Sequence, residues 1–300
     1  MATENEFCLA IGEVARLTGV NPVTLRAWQR RFGLVTPQRT PKGHRLYSQA
    51  QVDEIKEILH WLAQGVAISR VKPLLSSAEG HAEIAINDDA DWQQLAKGLD
   101  DAVMALKAVT LRQRLDELTS LYPMPLCGEK LADWLQTIEA NLALRVDGGL
   151  ISQWLARQLQ LYLAIRTDSV IRQKPQQVLL LALQEHPQHA LWVWQLALLA
   201  QGKLPLLFDR SSELDSLPLL MERLQPTALL VLPAAHTHAS LLHQLSELAS
   251  KLSLSTALCG KFASLLQPQL SQDTNLTNLS ILDSVVQLPA WLMATQEVSA

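Results

Sequence analysis

Between Val14 and Tyr47 the chain carries seven basic side chains, Arg16, Arg26, Arg30, Arg31, Arg39, Lys42 and Arg45, and no acid. Cations gathered in this way can neutralise phosphates and release their counterions, a chemistry that depends on local charge and not on the sum over the chain. The sum is negative, at −4. Residues 1–75 hold ten Lys/Arg against six Asp/Glu and the remainder fifteen against twenty-three, so the first quarter is the candidate nucleic-acid surface.

Two helices must position the first cations. One reads over 12–17 and is closed by Gly19; the second opens at Asn21, a good N-cap, with Pro22 at its first position, and runs to Phe32 before Gly33. Joined by about three residues, they make a helix-turn-helix. On a wheel started at Pro22, Leu25, Trp28 and Phe32 fall within about sixty degrees of one another and form a core stripe. Val23, Arg26, Ala27 and Arg30 lie opposite, two long cations beside small side chains, as a helix entering a major groove requires. The same face could equally be a solvated basic surface. Next, two short extended pieces flank Pro41-Lys42-Gly43 and predict a β wing, where Arg39, Lys42, His44 and Arg45 can reach phosphates. Ser48 and Gln51 form a capping box that opens a helix with Val52, Ile55, Ile58, Leu59 and Leu62 on its apolar side, stopped by Gly65. A short helix over 69–75 completes a domain spanning 1–76.

The rest divides by pattern. Residues 77–90 are small, polar and acidic and read as a linker. Helical periodicity over 91–173, broken at Tyr122-Pro123-Met124-Pro125 and at Asp147-Gly148-Gly149, predicts a bundle of about four helices. From 174 to 300, apolar runs at 178–183, 204–208, 227–232, 255–259 and 279–283 alternate with helix-length stretches. That rhythm predicts a Rossmann-like, flavodoxin-like parallel sheet with helices on both faces. The fold class is thus mostly α plus α/β.

Several classes are excluded. Cys8, Cys127 and Cys259 lie far apart without CxxC or Cys/His spacing, against a disulfide framework or a zinc site, and read as buried free thiols. No run approaches the ~18–20 apolar residues of a membrane span, and the start MATENEFCLA has no basic-then-apolar signal, so a cytoplasmic chain is expected. His236 and His238 have no nearby cysteine or carboxylate and read as solvated, not metallated. There is no Walker loop, GxGxxG after the first strand, nucleophile elbow or HExxH, and no enzyme is expected.

The stretch IGEVARLTGVNPVTLRAWQRRFGLVTPQRTPKGHRLYSQAQVDEI, followed by Gly-Val-Ala-Ile-Ser and VKPLL, resembles the MerR family across its whole DNA-binding domain. TLRAWQRR and GHRLY are more similar to the branch of MlrA-type and CarH/LitR-type regulators than to the metal sensors. The resemblance implies Arg16, Thr24, Arg26 and Arg30 at the groove and backbone, and Arg39, Lys42, His44, Arg45 and Tyr47 in the wing. With Asn21, Val23 and Ala27 at the helix face these form the expected DNA-contacting set. It also implies a homodimer on duplex promoter DNA, acting through RNA polymerase on an over-long spacer or by occlusion. Ala10 replaces the usual Ser or Thr cap, at a cost of ~1 kcal/mol of helix support.

That branch commonly carries a cobalamin-binding α/β domain, whose pattern Asp/Glu-x-His-x-x-Gly supplies a cobalt-ligating histidine, an acid orienting its far nitrogen, and room for the corrin. Here the loop reads Pro187-Gln188-His189-Ala190-Leu191-Trp192, with His189 in the histidine slot, proline for the acid and tryptophan for the glycine. The small-residue motif after the third strand reads Leu232-Pro233-Ala234-Ala235, and the glycine pair after the fourth appears as Cys259-Gly260. The Trp and Glu-His that cover the cobalt in light-sensing relatives are missing, since Glu185-His186 falls in the α/β region. The domain therefore reads as a degenerate cobalamin-binding fold without cofactor, serving as a docking or oligomerisation platform. The alternatives are a cobalamin-dependent, light-responsive regulator and a corrinoid-dependent methyl-transfer component.

Overall fold

Helix ends set the layout of the N-terminal part. The computed structural model describes residues 7–76, 90–183, 188–209, 214–234 and 237–298. Strand β1 (Phe7–Ala10) leads into α1 (Ile11–Thr18), which has no side-chain bond at Ala10 and ends on Gly19. Helix α2 (Pro22–Phe32) is capped by Asn21, whose side chain accepts from the Val23 N–H at 2.6 Å. Strands β2 (Gln38–Arg39) and β3 (Arg45–Ser48) form the wing. The capping box is present: the Gln51 N–H donates to Ser48 Oγ at 3.2 Å and the Ser48 N–H to Gln51 Oε1 at 3.1 Å, opening α3 (Gln49–Ala63). Helix α4 (Ile68–Ser76) follows. The sheet order is β1-β3-β2, all antiparallel. The alternation reading missed β1, four residues recognisable only once β3 lies beside them.

The four helices expected over 91–173 are α5 (Ala90–Met104), α6 (Ala108–Leu121), α7 (Met124–Ala143) and α8 (Gly148–Ile171). They do not form one compact unit. The chain divides into Met1–Cys127 and Gly128–Ala300, so α5 and α6 belong with the helix-turn-helix, and the boundary falls in the first turn of α7. The break between α5 and α6 carries no glycine or proline and is made at Leu106, with φ of 52°. The expected linker lies outside the described residues up to Ala90.

The second unit holds the parallel sheet expected from the apolar runs: β4 (Gln177–Ala182), β5 (Leu204–Phe208), β6 (Ala228–Leu232), β7 (Thr256–Cys259) and β8 (Leu279–Leu282). Helices α9 (Gln188–Ala200), α10 (Leu217–Leu224), α11 (Ala239–Leu252), α12 (Gln267–Gln272) and α13 (Leu288–Val298) alternate with them. The order β5-β4-β6-β7-β8 is the flavodoxin-like one, with the first strand inside the sheet and the chain reversing direction between β4 and β6. Leu180, in register with Leu207 and Leu230, is fully buried, as continuous apolar strands covered on both faces must be. Cys127 and Cys259 are buried free thiols, and burial pushes the Cys259 thiol well up. No helix among the described residues is long and apolar enough to cross a membrane.

The glycine pair that breaks the sequence pattern opens α8. A Cβ on Gly148 would sit 1.7 Å from the Leu142 carbonyl oxygen, while one on Gly149 would meet nothing within 4 Å. Gly149→Ala should therefore stabilise the chain by about 0.5–1 kcal/mol, through lost freedom in the unfolded state. Gly148→Ala should destabilise it by about 1–3 kcal/mol. Urea midpoints of the two variants check both signs.

Candidate nucleic-acid interface

Helix α2 is gripped by α1, α4 and α6. Trp28 is fully buried, as the stripe required, and its indole N–H donates to the Leu121 carbonyl at the end of α6, at 2.7 Å. Beside it Arg31 bonds Glu117 at 2.9 Å, and Arg114 reaches the same carboxylate at 2.9 Å. These contacts leave Val23, Arg26 and Arg30 on the exposed side, Val23 being 52% exposed.

Three members of the expected set lie inside. Ala27 is 3% exposed, Thr24 1% and Tyr47 1%. The wheel placed Ala27 opposite the stripe, but a methyl group close to the backbone is covered by whatever packs alongside, and three helices widen the buried arc of α2. The Thr24 hydroxyl is enclosed with no hydrogen-bond partner among the described residues, so it presents nothing to a groove. Tyr47 belongs to β3 of the wing and its side chain is buried. Burial pushes its phenol up, and the charges of Arg45 and Arg26 oppose this.

The wing is held by its turn. The Gly43 N–H donates to Thr40 O at 2.8 Å, the Thr40 N–H to His44 O at 2.9 Å, and the His44 N–H to Thr40 Oγ1 at 3.0 Å, with Gly43 at φ of 81°. Arg39 and Arg45 are directly opposite across the two strands. Like charges so placed destabilise a ribbon unless an anion lies between them. Arg39, Lys42 and His44 are exposed and Arg45 is half-buried, its Nε donating to Gln29 Oε1 of α2 at 3.3 Å. Gln29 thus ties wing to helix, a role that no periodicity signals. Arg16 is exposed but held by Glu13 at 2.6 Å, and that bond keeps the Glu13 carboxyl below its ordinary range. The reach from α2 to the wing is fixed by Val35 at φ of 50°, a strained value for a β-branched residue. Its backbone bonds Glu54, and Gln51 Nε2 donates to the neighbouring Thr36 carbonyl at 2.6 Å.

In the second unit His189 stands in the first turn of α9, not on a loop. Its Nδ1 is 2.7 Å from Glu139 Oε2 on α7, a partner with no sequence signal fifty positions away. Trp192, in the slot a glycine would fill, is 1% exposed; its N–H donates to Leu159 O at 2.8 Å and its ring tilts against Tyr162. A cavity of about 510 Å³ lies at the carboxyl ends of the strands, walled on one side by α7. Glu185, His186, Pro187, Ala235 and His236 fall outside the described residues.

The family profile described as "MerR HTH family regulatory protein" matches residues 9–78. The HTH-type transcriptional regulator MlrA of Salmonella typhimurium is 63% identical over 67 residues, 22% of this chain and 28% of that protein. The HTH-type transcriptional repressor CarH of Myxococcus xanthus is 43% identical over 77 residues, 25% of this chain and 26% of its own. The mercuric resistance operon regulatory protein of Bacillus cereus is 30% identical over 122 residues, 39% of this chain and 92% of that protein. The chain therefore spans little more than a quarter of the MlrA and CarH proteins, and nearly all of the mercuric regulator.

The Arg31–Glu117 link gives a pH test. Burial pushes the Glu117 carboxyl up, but bonds and charges from Arg31 and Arg114 outweigh it and hold the group below 4.5. A carboxyl depressed in the folded state contributes stability above its unfolded pKa and loses it as pH falls through the folded value. The first unit should thus lose stability below about pH 4.5 more steeply than a Glu117→Gln variant, which should be less stable at pH 7 and flatter in acid. Melting temperature against pH reads both.

Proposed function

The chain belongs to the MerR family of HTH regulatory proteins, and from that premise we propose that its first unit binds duplex promoter DNA sequence-specifically to regulate transcription. Exposed Arg26 and Arg30 on α2, beside an acid-free wing carrying Arg39, Lys42 and Arg45, carry the reading. An α-helix about 10–12 Å across fits a major groove about 12 Å wide, while wing cations brace the backbone without reading bases. One helix and one wing cover half of a two-fold site, which supports a homodimer. The same reading makes the chain a cytoplasmic regulator, not an enzyme, with RNA polymerase as partner where it activates. The direct contacts are Val23, Arg26 and Arg30 from α2 and Arg39, Lys42, His44 and Arg45 from the wing. Arg16 joins once it leaves Glu13, and Asn21 caps the helix.

For the second unit the reading excludes cobalamin. The carboxylate on His189 Nδ1 leaves Nε2 free, so the objection is steric: the indole of Trp192 occupies the slot that the pattern gives to glycine and is built into the core. A cavity of about 510 Å³ suits a drug-sized molecule, far smaller than a tetrapyrrole with its nucleotide tail. The residues do not fit the group.

With about six to ten phosphate contacts per dimer, log K should fall with log salt at a slope of roughly −5 to −9. The Arg26→Ala, Arg45→Ala double variant should bind promoter DNA more weakly and flatten the slope by about 3 to 4. Fluorescence anisotropy across salt measures both, and a slope near zero or unchanged binding would falsify DNA recognition by this face. Protein purified with added adenosylcobalamin should be colourless; a stoichiometric coloured complex would restore the cobalamin-dependent, light-responsive alternative.

A further inference from the structure

The crevice at the strand ends is not an empty relic. It lies where an open parallel sheet binds ligands, outside the carboxyl ends of its strands. β7 ends into Gly260 and Lys261, and β8 into Asp283, all of which line it. Across from them α7 contributes Glu129 and Asp133. Of these carboxylates, Glu129 accepts from the Ser284 hydroxyl at 2.9 Å. Asp133 and Asp283 make no side-chain hydrogen bond or ion pair among the described residues. Lys261 rests over the Phe262 ring, 5.3 Å from its centre. Negative charge therefore exceeds positive charge around an otherwise apolar cavity.

An independent observation points the same way. Trp194 lines the cavity at 4% exposure, and its indole N–H has no acceptor among the described residues. Its nitrogen is accessible from the cavity, where water or the acceptor of a bound molecule takes the N–H. Gly260 keeps that approach open. Its φ is 85°, its N–H bonds Leu282 O at 2.9 Å, and a Cβ there would stand 3.7 Å from the indole nitrogen.

We propose that this crevice binds a compact organic cation: a protonated amine carried on an apolar, ring-sized body with one acceptor atom. The amine pairs with Asp133 and Asp283, the ring lies on the apolar wall, and the acceptor takes the Trp194 N–H. The proposal differs from the ligand-free platform expected from the sequence and from its cobalamin-dependent alternative. It does not rest on the DNA-binding reading, because it lies wholly in the second unit and its test contains no DNA.

The probe is tyramine, titrated by calorimetry into the full-length chain, with 4-hydroxyphenylacetate as the counterpart that keeps the ring and hydroxyl but reverses the charge. Tyramine should bind with one site per chain and the acid should not. Asp283→Asn and Asp133→Asn should each weaken binding about tenfold, and Trp194→Phe, which keeps a ring and removes only the donor, by about threefold or more. The two aspartates are exposed, so melting temperatures of the ligand-free Asn variants should match the parent. Absence of tyramine binding, equal binding of the acid, or undiminished affinity in both Asn variants would each overturn the proposal.

Discussion

The burial of one indole organises the first unit. Trp28 is fully enclosed, its N–H is spent on Leu121 at the end of α6, and its carbonyl accepts from the Leu34 N–H as the chain leaves α2. A side chain of this size cannot be exposed without losing both the apolar area and a buried hydrogen bond. The rotation of α2 about its axis is thereby settled, and with it the identity of the residues that face out. Arg26 and Arg30 are presented because Leu25 and Trp28 are not. The wing inherits the same frame through Gln29 and through the strained turn at Val35.

The second unit depends on a different constraint. A parallel sheet covered on both faces must be apolar along its whole strands, so polar chemistry is displaced to their ends. The order β5-β4-β6-β7-β8 opens those ends at the reversal between β4 and β6. What the crevice accepts is then decided by a few loop and helix residues. Trp192 fills one part of the space with core, and Glu139 on α7 fixes the orientation of the His189 ring.

Much of this was legible in the sequence where chemistry is local. The N-cap at Asn21, the box at Ser48 and Gln51, the glycine turn of the wing and all five parallel strands depend on neighbours within a few positions. Contacts across the chain were not. Ala27 was placed outward because a wheel treats one helix in isolation, whereas α1, α4 and α6 bury a wider arc of α2; Thr24 and Tyr47 came from the resemblance, and both are buried. Glu117 and Glu139 find their partners 86 and 50 positions away, and nothing in spacing announces such pairs. The division of the four middle helices between two units was equally invisible, because periodicity says that a face is buried and not against what.

The apparent conflict between a negative chain and an anionic partner resolves at the same scale. Charges more than about 8–10 Å from a phosphate are screened at ordinary salt, so the surplus of acids elsewhere does not cancel a basic patch. What matters is which cations in the patch are already neutralised. Arg16 is paired with Glu13 and Arg31 with Glu117. Arg26, Arg30, Arg39 and Lys42 have no carboxylate partner among the described residues, and Arg45 bonds only the neutral Gln29. Those five occupy the two elements able to reach a duplex, and the two paired ones do structural work at the margins. The absence of acid between Val14 and Tyr47 thus leaves these five cations without a carboxylate counterion among the described residues.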